Sequence, residues 1–149
     1  MQVDFLFHFS ALSVLPFWAA MILFPRSSWT DRLVATPWII VPATLCYLAA
    51  ALPNLPEIMS IFQDPSPRSL AVVQGQAWAA TMNWAYAGAF DLFVGRWMFL
   101  DARASAISHW VVAPVLCISI LLGPLGFTLY GVAKAVRWMQ QARVAAASS

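Results

Sequence analysis

Residues 88–97 read GAFDLFVGRW. They put Asp91, and five residues later Arg96, inside a long apolar run. A charge at the centre of a bilayer costs roughly 2.5–3.5 kcal/mol on insertion scales, so an ionisable residue there faces other helices and is a functional candidate. Whether this stretch lies in a membrane is decided by the rest of the chain. Of its 149 residues, 62% are hydrophobic and 9% are charged. An average soluble domain carries about 25% charged residues. So little polar surface cannot cover a water-facing exterior, and the expected solvent is lipid. The formal charge of +2 is spread thinly, with no basic face, and no nucleic-acid partner is expected.

Four apolar segments stand out, at roughly 5–24, 37–52, 76–100 and 110–132. In lipid the backbone must be satisfied internally, which leaves helices or closed barrels. No alternating polarity suggests a barrel. The expected fold is therefore all-α, an integral membrane bundle of four transmembrane helices in one domain over 1–149. The first run starts almost at Met1, and "MQVDFLF" lacks the basic residues of a signal peptide, so it reads as a retained helix. Pro25 closes it, with Arg26 and Arg32 at headgroup level. "LPNLP" ends the second segment. Within the connection 53–75, Leu55, Ile58, Met59 and Phe62 recur at helical spacing, Pro56 and Glu57 suit a first turn, and "DPSP" stops it. That predicts a short amphipathic helix in the membrane interface. "LLGPLGF", 121–127, predicts a kink at Pro124 in the fourth helix. The "VAAASS" tail is expected to fray.

Four crossings would put Arg26, Arg32, Arg96 and Arg103 on one side, and Arg68, Lys134, Arg137 and Arg143 on the other. The positive-inside rule does not decide such a tie. Only the basic residues directly after the first helix tilt the first and third connections toward the cytoplasm.

Asp91 falls about 4.5 Å past the middle of the third helix, at 1.5 Å per residue. Trp84, Gly88, Asp91 and Gly95 share one of its faces. Arg96 is turned about 140° from Asp91. It reads either as an interfacial anchor or as a cation reaching a carboxylate elsewhere or a polar ligand head. Asp101 stands ready to fix it. Asp91 itself reads as an interior hydrogen-bonding group or, preferred here, as a ligand- or proton-handling one. Trp29, Trp38, Trp78, Trp97, Trp110 and Trp138 fall at segment ends, where aromatic belts belong. Trp18 and Trp84 lie deeper. With Phe17, Tyr86, Phe90 and Phe93 they can line a slot for an elongated apolar ligand, or simply pack.

His8 and His109 fall on different helices and at opposite depths, so no shared metal is expected. Cys46 and Cys117 read as small buried hydrophobes. Phosphate-binding glycine loops, nucleophile elbows and zinc-binding pairs are absent from the sequence. No cofactor is expected.

"LPFWAAMILFP" at 15–25, "WAYAGAFDLFVGRWMFLDAR" at 84–103 and "GPLGFTLY" at 123–130 resemble the membrane-protein family named for abscisic acid deficiency. Plant members are called neoxanthin synthases. The matching positions are Pro16, Phe17, Pro25, Trp84, Asp91, Leu92, Phe93, Arg96, Asp101, Pro124 and Gly126. Where the family pattern carries a histidine two residues after the tryptophan, this chain has Tyr86. The resemblance implies binding or isomerisation of a carotenoid-type isoprenoid. Turning a xanthophyll epoxide into an allenic alcohol needs an acid to open the epoxide and a base to remove a proton. It makes Asp91 and Arg96 the catalytic candidates, and Trp84, Tyr86, Gly88, Phe93, Gly95 and Asp101 the ligand-binding ones. The implied setting is membrane lipid, in the inner (cytoplasmic) membrane for a bacterial-type member, as a homo-oligomer or in a membrane complex. The competing reading is a non-catalytic accessory subunit of a membrane complex, such as a photosynthetic one. A proton or solute carrier is disfavoured by the lack of an inverted repeat.

Overall fold

A computed structural model describes residues 2–147, without the side chains of 144, 145 and 147. The two serines that end the tail lie outside the described residues, and the helix before them continues to Ala147. Among the described residues there is no strand. The helices are α1 (Gln2–Leu23), α2 (Ser28–Val34), α3 (Val41–Ala51), α4 (Leu55–Gln63), α5 (Pro67–Gln74), α6 (Ala77–Ala104), α7 (His109–Leu121) and α8 (Gly123–Ala147).

The all-α reading holds, with three differences in which helices form and where they stop. "LPNLP" does not end the second segment. Short 3-10 turns at Pro37–Ile40 and Leu52–Asn54 flank α3, and helix runs on into α4. Pro53 and Pro56 occupy first-turn positions, where a missing N–H breaks no hydrogen bond. Asn54 donates from Nδ2 to the Ala50 carbonyl at 2.9 Å, covering one group the turn leaves open. The short helix expected in the connection is present as α4, whose Leu55, Met59 and Phe62 form an exposed apolar stripe.

Two further helices, α2 and α5, are short and capped by serine. Ser27 accepts from the Trp29 N–H at 3.3 Å. Ser66 and Ser69 exchange hydrogen bonds in a capping box.

The third difference is the largest. The segment 110–132 is not one kinked helix. It breaks at Leu122 into α7 and α8, which pack side by side. Their pairing is antiparallel: Gly126 meets Ser119, and farther out residues 106–111 share a cleft with 133–140.

The chain divides into two compact units, Met1–Pro16 with Trp38–Phe90, and Phe17–Pro37 with Asp91–Ser149. The core of the first is built from small side chains, among them Ala43, Cys46, Ala50, Ala79 and Ala85. Small residues let helix backbones approach closely, the usual basis of packing in lipid. The core of the second is bulkier, with Trp18, Met21, Leu92, Met98, Phe99, Leu116 and Tyr130.

Large apolar side chains are exposed throughout, including Phe5, Leu12, Phe62, Trp110 and Leu121. A water-soluble monomer rarely exposes contiguous apolar surface on this scale. Two helical stretches, Gln2–Leu23 and Pro37–Gln63, are long and apolar enough to cross a membrane by length and composition. α6 is longer than either, at 28 residues, but carries Asp91, Arg96, Asp101 and Arg103. How the fold accommodates those four charges defines the candidate site.

Candidate functional site

All four charged residues of α6 belong to the second unit. Asp91 is half-buried, with its carboxylate against Gly123, the first residue of α8. A Cβ at residue 123 would meet Oδ1, so a side chain there would make the Asp91 carboxylate turn aside. Among the described residues, no group hydrogen-bonds or ion-pairs with the Asp91 carboxylate. The other three charges are all engaged.

Arg96 does not reach a carboxylate. Its Nε donates to the Val34 carbonyl at 2.9 Å and its Nη2 to the Ala35 carbonyl at 3.2 Å. Those carbonyls end α2, and a cation is favoured at a helix C-terminus because the last carbonyls lack intrahelical partners. Arg96 is thus a positioning residue for α2. The expectation that Asp101 would hold Arg96 is also corrected. Asp101 accepts from the Tyr130 hydroxyl, and from Lys134 Nζ at 2.8 Å through both carboxylate oxygens. Tyr130 and Lys134 stand four apart on α8, on one face. Their hydrogen bonds, Lys134 first and Tyr130 second, hold the Asp101 carboxyl below the usual carboxylate range. Asp101 lies beyond the apolar stretch 76–100, near the C-terminal end of α6. Trp97 completes this join, packing on Phe127 and edge-on against Tyr130 with centroids 5.8 and 5.7 Å apart. Trp97 therefore belongs to a helix–helix contact as well as a segment end. Arg103 pairs with Asp31 of α2.

Gly95 supplies a second close approach. The space a side chain would need there is filled by the buried indole of Trp18. Phe93 is exposed. Thr30 and His109, neither placed in a specific contact from sequence, close the end of α1. Thr30 Oγ1 lies 2.6 Å from the Phe24 carbonyl and 3.2 Å from that of Ala20, and His109 donates from Nε2 to Ile22 at 2.9 Å. A cleft of about 420 Å³ opens beside this join, lined by Arg26, Arg103, His109 and Trp110 among others.

In the first unit, Trp84 stacks on Phe7 with centroids 5.3 Å apart. Tyr86 lies between Tyr47 and Phe90, at 6.3 and 5.8 Å. A two-residue offset is about 200° around a helix, so Trp84 and Tyr86 leave α6 on opposite sides. They do not line one slot. Both are about half exposed. Gly88 faces Val14 with room to spare, the nearest atom to a built Cβ being 3.9 Å away. Among the described residues, no cluster of three or more His, Cys, Asp or Glu could hold a metal ion.

What emerges is the Asp91 carboxylate, unpartnered among the described residues and set against the tip of the α7–α8 hairpin, while the charges that follow it on α6 are each committed to a structural bond. Compared with known proteins, residues 5–130 match the family model described as ABA DEFICIENT 4-like. No curated protein and no solved structure matches the chain.

Proposed function

The chain belongs to the ABA DEFICIENT 4-like family, and on that premise we propose that it is an integral membrane protein that binds and isomerises a carotenoid-type isoprenoid, with Asp91 as its acid. The observation that carries this reading is the Asp91 carboxylate. It lies in an apolar run of sequence, half-buried against Gly123 and, among the described residues, without a hydrogen-bonding or ionic partner. Opening an epoxide requires a proton delivered to oxygen and another removed from carbon, with no net change in atoms. A carboxyl not consumed by a structural bond is suited to one of these transfers. Arg96 is bonded to carbonyls of α2, so its part is to hold that helix in place. Trp84 and Tyr86 remain candidate ligand contacts because their rings are half exposed. They would act on separate sides of α6, the Tyr86 hydroxyl toward a polar ring end. The membrane in question is the inner membrane of a bacterial cell, and the four apolar segments are the parts embedded in it.

The protein, purified in mild detergent from a carotenoid-producing host, should carry a stoichiometric carotenoid band, shifted from that of the free pigment. Trp84→Ala should remove it. Asp91→Asn should keep the band and the fold while abolishing any isomerised product. A folded but colourless protein would sink the proposal and favour an accessory subunit, with the exposed aromatic side chains of α6 as its docking face. Normal product from a folded Asp91→Asn variant would remove Asp91 from the chemistry.

A further inference from the structure

The break at Leu122 changes what the fourth apolar segment can do. α7 has 13 residues and is about 20 Å long at 1.5 Å per residue. From Ala104 back to Asp91 along α6 is 13 residues (104 − 91), the same length. α7 runs back alongside that stretch, and its far end meets α6 at Asp91, which touches Gly123. α8 then returns parallel to α6. Phe127 and Tyr130 meet Trp97, and Tyr130 and Lys134 meet Asp101. The hairpin therefore enters and leaves at one end of α6, with its tip near the middle of that helix.

The tip is built for an apolar medium. Leu121, Leu122 and Leu125 are 81%, 56% and 48% exposed there. A tip in water would leave three leucines wet. Its polar groups are few: Pro124 has no N–H, the Gly126 N–H bonds to the Leu122 carbonyl, and the Ser119 hydroxyl donates to Val115. Irregular backbone within a membrane is tolerated only where protein or a cavity takes up its polar groups.

Resting on the membrane reading above, we infer that α7–α8 is a re-entrant hairpin. The described residues then cross the membrane three times, through α1, 37–63 and α6, and seven of the eight basic residues lie on one face, the cytoplasmic one that meets anionic headgroups. Arg26 and Arg32 follow α1. Their segment is tied to the end of α6 by Asp31–Arg103 and by Arg96 on α2. Lys134 bonds to Asp101, Arg137 borders the cleft shared with Ile107 and Ser108, and Arg143 lies farther along α8. Arg68 alone lies in the connection between 37–63 and α6. α6 is about 42 Å long at 28 residues, against a hydrocarbon core of about 30 Å, so its two ends face opposite sides. The four-to-four tie of a four-crossing chain becomes seven to one. The positive-inside rule places the seven in the cytoplasm, where they meet the negative surface potential of that leaflet.

The test is sidedness. In a background with Cys46→Ala and Cys117→Ala, single cysteines are introduced as Ser28→Cys, Asp64→Cys and Gln141→Cys. Right-side-out and inverted vesicles from a bacterial host are treated with a membrane-impermeant maleimide. Ser28→Cys and Gln141→Cys should label only in inverted vesicles, and Asp64→Cys only in right-side-out ones. Gln141→Cys labelling together with Asp64→Cys would overturn the hairpin. Ser28→Cys and Gln141→Cys labelling together from the outside would overturn the orientation. Labelling of all three in both preparations, with release by alkaline carbonate, would overturn the membrane reading and this inference with it. A C-terminal alkaline phosphatase fusion to the otherwise native chain gives an independent reading. It should be inactive, and high activity would place α8 outside and overturn the orientation.

Discussion

The six-membered ring of Trp18 occupies the space that a side chain at Gly95 would need. The ring is buried and cannot swing aside without vacating the core of its unit. Gly88, one face-repeat earlier on α6, has no such neighbour, since Val14 stands 3.9 Å from where its Cβ would be. Two glycines that look equivalent in sequence thus do different things.

Gly95→Ala should destabilise the protein by about 1–3 kcal/mol, the usual cost of overpacking a filled core. Gly88→Ala should be neutral or gain up to about 0.5–1 kcal/mol from the helix propensity of alanine. Thermal unfolding of the two variants in the same detergent checks this. Equal shifts would mean that the Trp18 contact is not tight in the membrane protein.

The Asp101 join predicts a pH dependence whose sign follows from its partners. Lys134 and Tyr130 stabilise the carboxylate and hold its pKa below the ordinary value. Such a group contributes stability that is present above the unfolded carboxyl pKa, near 3.9, and is lost as pH falls through the lower folded value. The unfolding temperature should be little changed by this group between pH 7 and 5 and should drop below pH 4. Because Lys134 is nearly half exposed, solvent screens the pair, and Asp101→Asn should cost only about 1 kcal/mol at pH 7. The variant should also lose this part of the acid step. An unchanged acid step in Asp101→Asn would assign it to other carboxyls.

Much of this was readable in the sequence, and what was not has definite physical reasons. α1 at Gln2–Leu23 and α6 at Ala77–Ala104 lie within a few residues of the apolar runs that announced them. Asp91 stood out because a lone acid in an apolar run is costly. The partner of Arg96 was hidden because backbone carbonyls have no sequence signature, and Val34 lies 62 residues away. Tyr130 and Lys134 could have been found as an i, i+4 pair facing Asp101, had the fourth segment been read as leaving the bilayer on that side. The hairpin was illegible because "LLGPLGF" serves equally for a kink and for a reversal. The choice between them rests on whether Gly126 can seat against Ser119, a property of packing and not of composition.

Arg96 and the end of α2 give a prediction that separates positioning from ligand binding. Arg96→Met removes both hydrogen bonds to Val34 and Ala35 and leaves their carbonyls unpaired. Hydrogen bonds to a charged group are worth about 1.5–3 kcal/mol, and partial exposure of Arg96 places this case at the low end. Amide exchange in α2 should accelerate by about tenfold or more. Exchange in α8, which is bonded to α6 through Asp101 and not through Arg96, should stay the same. Arg96→Lys should recover part of the protection, since lysine offers a charge without the two-pronged geometry. Unchanged α2 exchange in Arg96→Met would free Arg96 for a direct role with ligand.

The seat of Gly126 on Ser119 decides whether the hairpin closes. A Cβ at residue 126 would lie 2.8 Å from the Ser119 Cβ and 2.9 Å from its Cα. A backbone atom cannot rotate out of the way, so α7 and α8 would have to separate at the tip. Gly131, five residues along the same helix, has nothing within 4 Å of a built Cβ. Gly126→Ala should therefore destabilise by about 1–3 kcal/mol through overpacking. Gly131→Ala should hold or raise the unfolding temperature, because alanine gains about 0.8–1.0 kcal/mol over glycine in a helix interior. The pairing also predicts where the damage appears: in Gly126→Ala, amide exchange should rise first around 118–127, at the tip, while the Asp101–Lys134 join keeps the base of the hairpin protected. Exchange rising first at the base would mean that the glycine seat at the tip is not what holds α7 and α8 together.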